Sequence, residues 1–359
     1  MCQSNYLEIS RSALRKNAAA VCKAVQEPVI GIVKCNGYGV TVCEAAAAWK
    51  EAGACMLGVS RPEEALTLRQ AGFREEILLL CPVADKLTLE EMLEHNIILT
   101  VTGLENACFY SMFAPRYPVR VHVAIDTGMG RFGICWCDTE QARAVYDLSG
   151  LSFEGIFSHF SCAFESKYRQ TKQEMKRFLH MTQFLQAEGC HVGMRHIANS
   201  CAATRFSQTR LDAVRIGSAL VGKLPVFSPV KLETVGIFKA QVVDIKHFSA
   251  GDTTGYGGYC RLKKNTKAAV IALGREDGFG TVPKPDHLRL RDLMAYLRCL
   301  LRDWMHPPCV TYQGKKLKMI GRIGNQYTLF DTADTLIQAG DYVEWDGNLL
   351  LSSCERRFV

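Results

Sequence analysis

Between residues 28 and 222 one pattern recurs eight times: a short apolar run, a polar junction, then an amphipathic stretch. The apolar runs are VIGIV (29–33), ACMLGV (54–59), EILLL (76–80), NIILT (96–100), VRVHVAID (119–126), FEGIFSHF (153–160), HVGMRHI (191–197) and LDAVRIG (211–217). Helical candidates lie between them, among them VCEAAAAWKEA, RPEEALTLRQA, TLEEMLEH, DTEQARAVYDL and KQEMKRFLHMTQFLQAEG. Strands alternating with helices build a parallel sheet, and eight repeats predict closure into a TIM-like (β/α)8 barrel rather than an open doubly wound sheet. The polar residues of interest end or follow the runs, where barrel enzymes place their chemistry.

Near residue 230 the pattern changes. KLETVGIFKAQVVDIKHFSAGD, TKAAVIALG, LKMIGRIGNQYTLFD and GDYVEWD read as short strands joined by Gly/Asp turns. The chain is therefore expected to divide into a barrel over residues 1–228 and a mostly β domain over 229–359. NYLEIS reads as a strand before the first barrel helix, SALRKNAAAVCKAV, and residues 1–10 are free to pair with the C-terminal domain. A helical insertion around 281–310 interrupts that domain; in RDLMAYLRCLLRDWM (291–305) leucines, methionines and aromatics recur at helical spacing. The stripe suits a helix covering an edge or an interface better than a direct role in an active site.

Several classes are excluded. The longest apolar runs are far too short to cross a bilayer, and MCQSNYLEISRSALRKN lacks the continuous apolar segment of a signal peptide. A formal charge of +7 with scattered basic residues argues against nucleic acid as a partner. Sixteen cysteines are many, but Cys135 and Cys137 form the only close pair and no matching Cys/His pair lies near them. Free thiols in a reducing cytoplasm and no metal site are the expectation.

The residues that carry chemistry start with Lys34 in VKCNGYGV (33–40), at the mouth of a buried run. A lysine there either snorkels to solvent or, desolvated, presents a neutral amine able to condense with an aldehyde. Asn36, Gly37 and Gly39 turn the chain into the helix beginning near Thr41 and set Tyr38 beside the lysine, its hydroxyl available to a bound anion. In HIANSCAA (196–203) a strand runs into a helix, where Ser200 and the following amides suit a phosphate. Arg215 ends the eighth run in VRIGSALVG (214–222), and Gly217 lets the backbone approach a ligand. Pairing with Asp212 or with a carboxylate on a neighbouring strand is the structural alternative for Arg215. DTGMGRFG (126–133) can wrap closely around a ligand and present Arg131, without the ending of a P-loop. His159 in FSHFS is either a site residue or a hydrogen-bonded core histidine. In GDTTGYGGY (251–259) Tyr256 stands between glycines, as a solvent-exposed turn residue or as an acid/base group.

Taken together, these motifs resemble the alanine-racemase-like enzymes of fold type III, which depend on pyridoxal 5′-phosphate. The likeness covers essentially the whole chain. VKCNGYG resembles the family's lysine motif, VAIDTGMGRFG its glycine-arginine motif, HIANS and VRIGSALVG its cofactor-binding motifs, and TTGYGGY the segment of the opposing tyrosine. GREDG resembles a substrate-side loop and MIGRIGNQ the strand that follows it. The resemblance implies that Lys34 holds the cofactor as a Schiff base. Tyr38, Asn199, Ser200 and the amides of Gly217 and Ser218 would bind the cofactor and its phosphate. Arg215 would face the pyridine nitrogen, Arg131 would lie on the phenolic-oxygen side, and His159 would pack near the ring. It also implies a homodimer whose sites draw the catalytic Tyr256 from the second copy, and a two-base racemisation in which Lys34 and Tyr256 exchange the roles of acid and base.

The departures lie on the substrate side. Ala124 stands where the family has a lysine that positions the arginine, and Arg275 replaces a tyrosine in Gly-Arg-Glu-Asp-Gly. Gly324, Asn325 and Gln326 replace a Cys-Met-Asp or Gly-Met-Asp sequence, and Ser353 stands where a phosphate-binding tyrosine is expected. Alanine is the default substrate. Serine or a basic or acidic amino acid, a decarboxylase of the same cofactor class, and a noncatalytic cofactor-binding protein are the alternatives. Arg275, with Gly324 and Asn325, is the candidate reader of substrate, unless it merely pairs with Glu276 or Asp277.

Overall fold

The computed structural model describes residues 5–165, 168–281, 290–332, 334–350 and 354–359, with the backbone alone at 256 and 291. They fall into two compact units: Arg11–Val235, and the residues up to Ser10 joined to Gly236–Val359.

Strand β1 (Asn5–Ile9) belongs to the second unit. In the first, α1 (Arg11–Val25), β2 (Val29–Ile32), α2 (Val42–Glu51), β3 (Met56–Val59), α3 (Pro62–Gln70) and β4 (Ile77–Leu79) open the alternation. It continues through α4 (Lys86–Glu94), β5 (Leu99–Val101), α5 (Leu104–Ser111), β6 (Val119–Asp126), a short β7 (Ile134–Cys135) and α6 (Thr139–Tyr146). β8 (Leu151–Phe157), α7 (Arg169–Ala187), β9 (Met194–His196), α8 (Ser200–Arg205) and β10 (Val214–Ile216) complete it. Parallel pairing runs β10–β2–β3–β4 and β5–β6–β8–β9. Single parallel bridges, Leu78–Ile98 and His196–Ala213, join the two sets at both ends. The eight strands therefore close into a ring. β2, β3, β4, β5 and β10 are buried at every residue, as strands covered on both faces must be. Ile30, Ile32, Met56, Leu78, Ile98 and Ala213 form one cluster across neighbouring strands.

The helices start where short polar side chains follow the strands. Asp85, Asp138 and Asn199 accept the amides of Thr88, Gln141 and Ala202 at 2.9, 3.0 and 3.1 Å, each satisfying one of the orphan donors of a first turn. Glu64 takes the amides of Ser60 and Arg61 ahead of Pro62. Two apolar runs are longer than the strands they produce. β8 stops at Phe157 and β9 begins only at Met194, after Gly193 turns the chain at φ +63°. Ser158 and His159 consequently lie past the end of β8, on the same side of the ring as the residues after β2 and β10.

In the second unit, β11 (Gly236–Phe248) is followed by a β12–β13 hairpin (Thr253–Thr254, Cys260–Arg261) and β14 (Thr266–Ile271). Then come α9 (Leu290–Met305), β15 (Cys309–Tyr312), β16 (Lys315–Ile320), β17 (Thr328–Asp331), β18 (Tyr342–Trp345) and β19 (Glu355–Phe358). The order β11–β14–β17–β16–β15–β18 returns to β11, closing a six-stranded antiparallel barrel. A register shift between Val242 and Asp244 bends the long β11, so that its first half pairs with β18 and its second with β14. β1 adds to β11 with Asn5 opposite Ala240, and β19 adds to β1. Phe238, Phe279, Phe330 and Trp345 pack in this core at centroid distances of 4.7–6.0 Å. α9 keeps the helical period, but its apolar side chains are open in the single chain: Leu290 is 77% exposed, Leu301 57% and Trp304 81%. Among the described residues no helix is long and apolar enough to cross a membrane, and no group of three or more His, Cys, Asp or Glu could hold a metal ion.

Candidate active site

Past the end of β2 the backbone turns left-handed for five residues. Cys35, Asn36, Gly37, Tyr38 and Gly39 have φ of 55°, 52°, 64°, 56° and 94°. Each non-glycine residue in that region costs roughly 1–2 kcal/mol, least for asparagine, so the turn needs fixing from outside. Asn36 supplies much of it: its side-chain oxygen accepts the Val42 amide at 3.1 Å and its carbonyl the Thr41 amide at 2.9 Å. Glu64, from α3, accepts the Asn36 amide at 3.2 Å. The result aims Lys34 and Tyr38 into a cavity of about 600 Å³ at the strand ends of the ring.

Lys34 lines this cavity instead of snorkelling to solvent. Burial lowers its pKa first of all, with Arg131 and Arg215 adding to the effect and Cys35 and Glu64 opposing it. Tyr38 sits against the backbone after β10: a β-carbon on Gly217 would lie 2.1 Å from the Tyr38 hydroxyl. Only glycine fits there. The Gly217 amide donates to Ser200 Oγ at 3.0 Å, which ties the start of α8 to the segment after β10. Burial raises the Tyr38 pKa, so its hydroxyl stays protonated. Asn199 is spent as the cap of α8, and Ser218 lines the cavity beside Gly217.

Arg215 is buried and, among the described residues, has no carboxylate partner; Asp212 pairs with Arg195 at 2.9 Å instead. Its guanidinium donates to His196 Nδ1 at 2.7 Å, to the carbonyls of His196 at 2.9 Å and Ile197 at 3.3 Å, to the Ser158 carbonyl, and to His159 Nδ1 at 3.2 Å. It also lies over the Phe157 ring at 5.2 Å. Burial, helped by Arg131, pulls its pKa down to about 9, which leaves it charged at neutral pH. A permanent donor on one side fixes the neighbouring tautomers. His196 Nδ1 must accept, so its Nε2 carries the proton that meets His122 Nδ1 at 2.9 Å. Gly155 leaves room for the His122 ring, 2.6 Å from where a β-carbon would stand. Burial and the Arg215 charge push His122 and His159 down to about 3, and His196 well below its usual value. All three imidazoles are neutral.

The segment Asp126–Gly133 hangs from one carboxylate. Asp126 Oδ1 accepts the amides of Gly128 and Met129 at 2.9 Å and of Gly130 at 3.1 Å. The loop brings exposed Arg131 to the cavity, where Ala124 is also part of the wall. Among the described residues Arg131 makes no ion pair; its guanidinium rests over Phe132 at 5.8 Å.

In the second unit Arg275, Gly324 and Asn325 come together through the backbone. The Arg275 amide donates to the Gly324 carbonyl at 3.0 Å and the Glu276 amide to the Asn325 carbonyl at 3.1 Å. A β-carbon on Gly274 would lie 2.1 Å from the Asn325 oxygen, which explains the glycine. Asp277 is occupied by the Gly274 amide and by Asn5. The Arg275 side chain is exposed and, among the described residues, forms no ion pair with Glu276 or Asp277. Tyr256 lies on a short turn, Tyr256–Gly258, bracketed by Gly255 and Gly257 at φ +71° and +76°. Ser353 lies outside the described residues.

Lys34, Tyr38, Arg131, His159, Asn199, Ser200, Arg215, Gly217 and Ser218 thus surround one cavity. Sequence reasoning missed His122, His196 and the Ser158 carbonyl. The first two were visible as histidines inside buried runs, VRVHVAID and HVGMRHI, where a polar ring demands a partner; the carbonyl carries no side-chain signal at all.

Comparison with known proteins covers both units. Residues 9–225 match the family model described as "Alanine racemase, N-terminal domain", and residues 235–350 match "Alanine racemase, C-terminal domain". The chain is 38% identical over 294 residues to an alanine racemase of Desulfosudis oleivorans, covering 77% of this chain and 75% of that one. It is 28% identical to alanine racemase 2 of Caldanaerobacter subterraneus subsp. tengcongensis over 94% of this chain and 84% of the relative. Among solved structures, an alanine racemase of Clostridium difficile 630 superposes with a TM-score of 0.85 at 24% identity, covering 100% of this chain and 96% of its own.

Proposed function

The chain belongs to the alanine racemase family, and from that premise we propose that it interconverts L- and D-alanine through two bases, Lys34 and Tyr256, working on opposite faces of the substrate. The family depends on pyridoxal 5′-phosphate. The residues present suit that cofactor. A neutral phenol, a serine hydroxyl and the amides after β10 converge where Gly217 removes any side chain, which is the character of a phosphate cradle. Lys34 faces the same cavity in a setting whose burial lowers its pKa. When bound, the cofactor supplies an electron sink for the charge left on the substrate's Cα once its proton departs.

Each residue has a physical part in this reading. Lys34 takes or returns the proton on one face, and the neighbouring cations Arg131 and Arg215 make its neutral state more accessible. A single base would have to cross the substrate plane to deliver a proton to the other face, so inversion needs a second group. Tyr256 is that group. Arg215 is a strong donor and a poor acid; held by its network, it would offer the bound cofactor a hydrogen bond without lending it a proton. His159, neutral and bonded to Arg215, buffers that head against movement. Arg131 orients the substrate end of the cavity.

The reading makes the first unit the cofactor-binding part, the second the source of Tyr256, and the working form a homodimer in which the second copy completes each site. Free thiols at every described cysteine suit a cytoplasmic setting. Arg275, Gly324 and Asn325, held together by backbone bonds, form the substrate-reading cluster of the second unit. The decarboxylase alternative has no support from the family matches, which cover both ends of the chain. The observation that carries the proposal is the cavity that joins Lys34, buried Arg215 and the Tyr38–Gly217–Ser200 contact. Chiral analysis of L-alanine incubated with the enzyme and pyridoxal 5′-phosphate tests it: a racemic end point is expected, and no D-alanine above a Lys34→Ala control overturns it.

A further inference from the structure

The CWC turn takes no part in the cavity. Cys135 and Cys137 are both exposed, and their sulfurs stand 2.9 Å apart, inside ordinary non-bonded contact. The backbone sets this proximity. The Asp138 amide donates to the Cys135 carbonyl at 2.9 Å, folding Cys137 back over Cys135, and the Asp138 carboxylate caps α6. The turn is also tied to the loop that carries Arg131. Ile134 and Cys135 pair with Ile125 and Asp126, the Trp136 amide donates to the Asp126 carbonyl at 3.0 Å, and the Asp126 carboxylate gathers the amides of the glycine loop. Arg177 adds a second tie: it stacks on Trp136 at 5.0 Å and donates to the Thr127 carbonyl at 2.8 Å.

We infer that Cys135 and Cys137 form a redox-active dithiol, closed to an intrachain disulfide by two-electron oxidants of the peroxide class and felt at the Arg131 loop. Both sulfurs are exposed to the oxidant and either can react first, here Cys135. Its thiolate attacks one oxygen of hydrogen peroxide, breaking the O–O bond; the sulfur becomes a sulfenic acid and the departing hydroxide takes a proton to give water. The Cys137 thiolate then attacks that sulfur, the S–S bond forms, the S–O bond breaks, and a second water leaves. Two thiols and one peroxide give one disulfide and two waters. Exposure of both sulfurs makes the bond open to thiolate exchange, so glutathione returns it to the dithiol.

The test uses full-length holoenzyme treated with limiting hydrogen peroxide, alkylated with iodoacetamide and mapped by peptide mass spectrometry. The peptide holding Cys135 and Cys137 should lose two hydrogens and escape alkylation before the other exposed thiols, Cys35, Cys55 and Cys108, are modified. Glutathione should restore double alkylation, and Cys137→Ser should leave Cys135 as a sulfenic acid or mixed disulfide. Double alkylation of this peptide while other thiols oxidise, or its bonding to a distant cysteine, overturns the dithiol. The kinetic arm rests on the racemase reading; the peptide map does not. Oxidised wild type should show a several-fold change in KM that Cys137→Ser lacks, and unchanged constants in a fully closed disulfide overturn the link to the loop.

Discussion

Replacing Gly217 with alanine isolates the cofactor cradle. The residue is not at positive φ, so alanine brings no backbone penalty, and the whole effect comes from space. Its β-carbon would stand 2.1 Å from the Tyr38 hydroxyl, 2.5 Å from Cζ and 2.6 Å from Cε2. Normal contact is about 3.5 Å, so the ring must withdraw by more than an ångström. It cannot do so freely, because the left-handed turn is pinned through Asn36 and Glu64. Overpacking of this kind costs about 1–3 kcal/mol. Where cofactor binding restores the ring to its place, that cost appears as roughly a 5- to 150-fold weaker Kd for pyridoxal 5′-phosphate. Titration of apoenzyme followed by absorbance measures it. Tyr38→Phe should lose less, having lost one hydrogen bond and no space. Adding Tyr38→Ala to Gly217→Ala should remove the clash but not recover wild-type affinity. A Gly217→Ala enzyme with wild-type Kd would refute the reasoning.

Further outcomes follow from the same geometry. Three imidazoles are held neutral, His122 and His196 fully buried and His159 half-buried at the cavity wall, with His122 and His159 at pKa near 3 against an ordinary 6.5. Between those values the unfolded chain binds more protons than the folded one, so stability is fully present above pH 6.5 and falls as pH drops below it, by up to about 1.4 kcal/mol per pH unit for each proton. Urea unfolding at pH 7.5 and 5 checks this, and equal midpoints would contradict it. Tyr256→Phe should slow racemisation by about 10²- to 10⁴-fold with an unaltered Kd for the cofactor; a loss of less than tenfold would remove Tyr256 from the role of second base. Arg275→Ala should shift relative rates across alanine, serine, lysine and glutamate. Unchanged ratios in paired L- and D-assays would make Arg275 a solvated surface residue.

The ring of eight strands was legible because parallel strands covered on both faces leave continuous apolar runs, and the chain shows eight. Their exact ends were not. FEGIFSHF reads as one run as far as Phe160, yet pairing stops at Phe157 and the carbonyl of Ser158 turns to Arg215. Lys34, Tyr38, Ser200, Arg215 and Gly217 were readable since each occupies a place where its chemistry is awkward without a ligand. The partners of Arg215 were not readable. An arginine is expected to seek a carboxylate, and Asp212 lies three residues away, but Asp212 is taken by Arg195 while Arg215 is satisfied by carbonyls and imidazoles from neighbouring strands. Such a set depends on strand register, which one-dimensional spacing does not contain. α9 shows the converse: its periodicity was plain, while the exposure of its apolar face depends on what packs there.

The most direct test follows exchange of the Cα proton of each alanine enantiomer in D₂O, with wild type, Lys34→Arg and Tyr256→Phe. Two bases on two faces predict that wild type exchanges both enantiomers, that Tyr256→Phe loses exchange chiefly from one, and that Lys34→Arg, if it still binds the cofactor, loses it chiefly from the other. Equal loss from both enantiomers in Tyr256→Phe, or inversion at the wild-type rate without the phenol, would contradict the account.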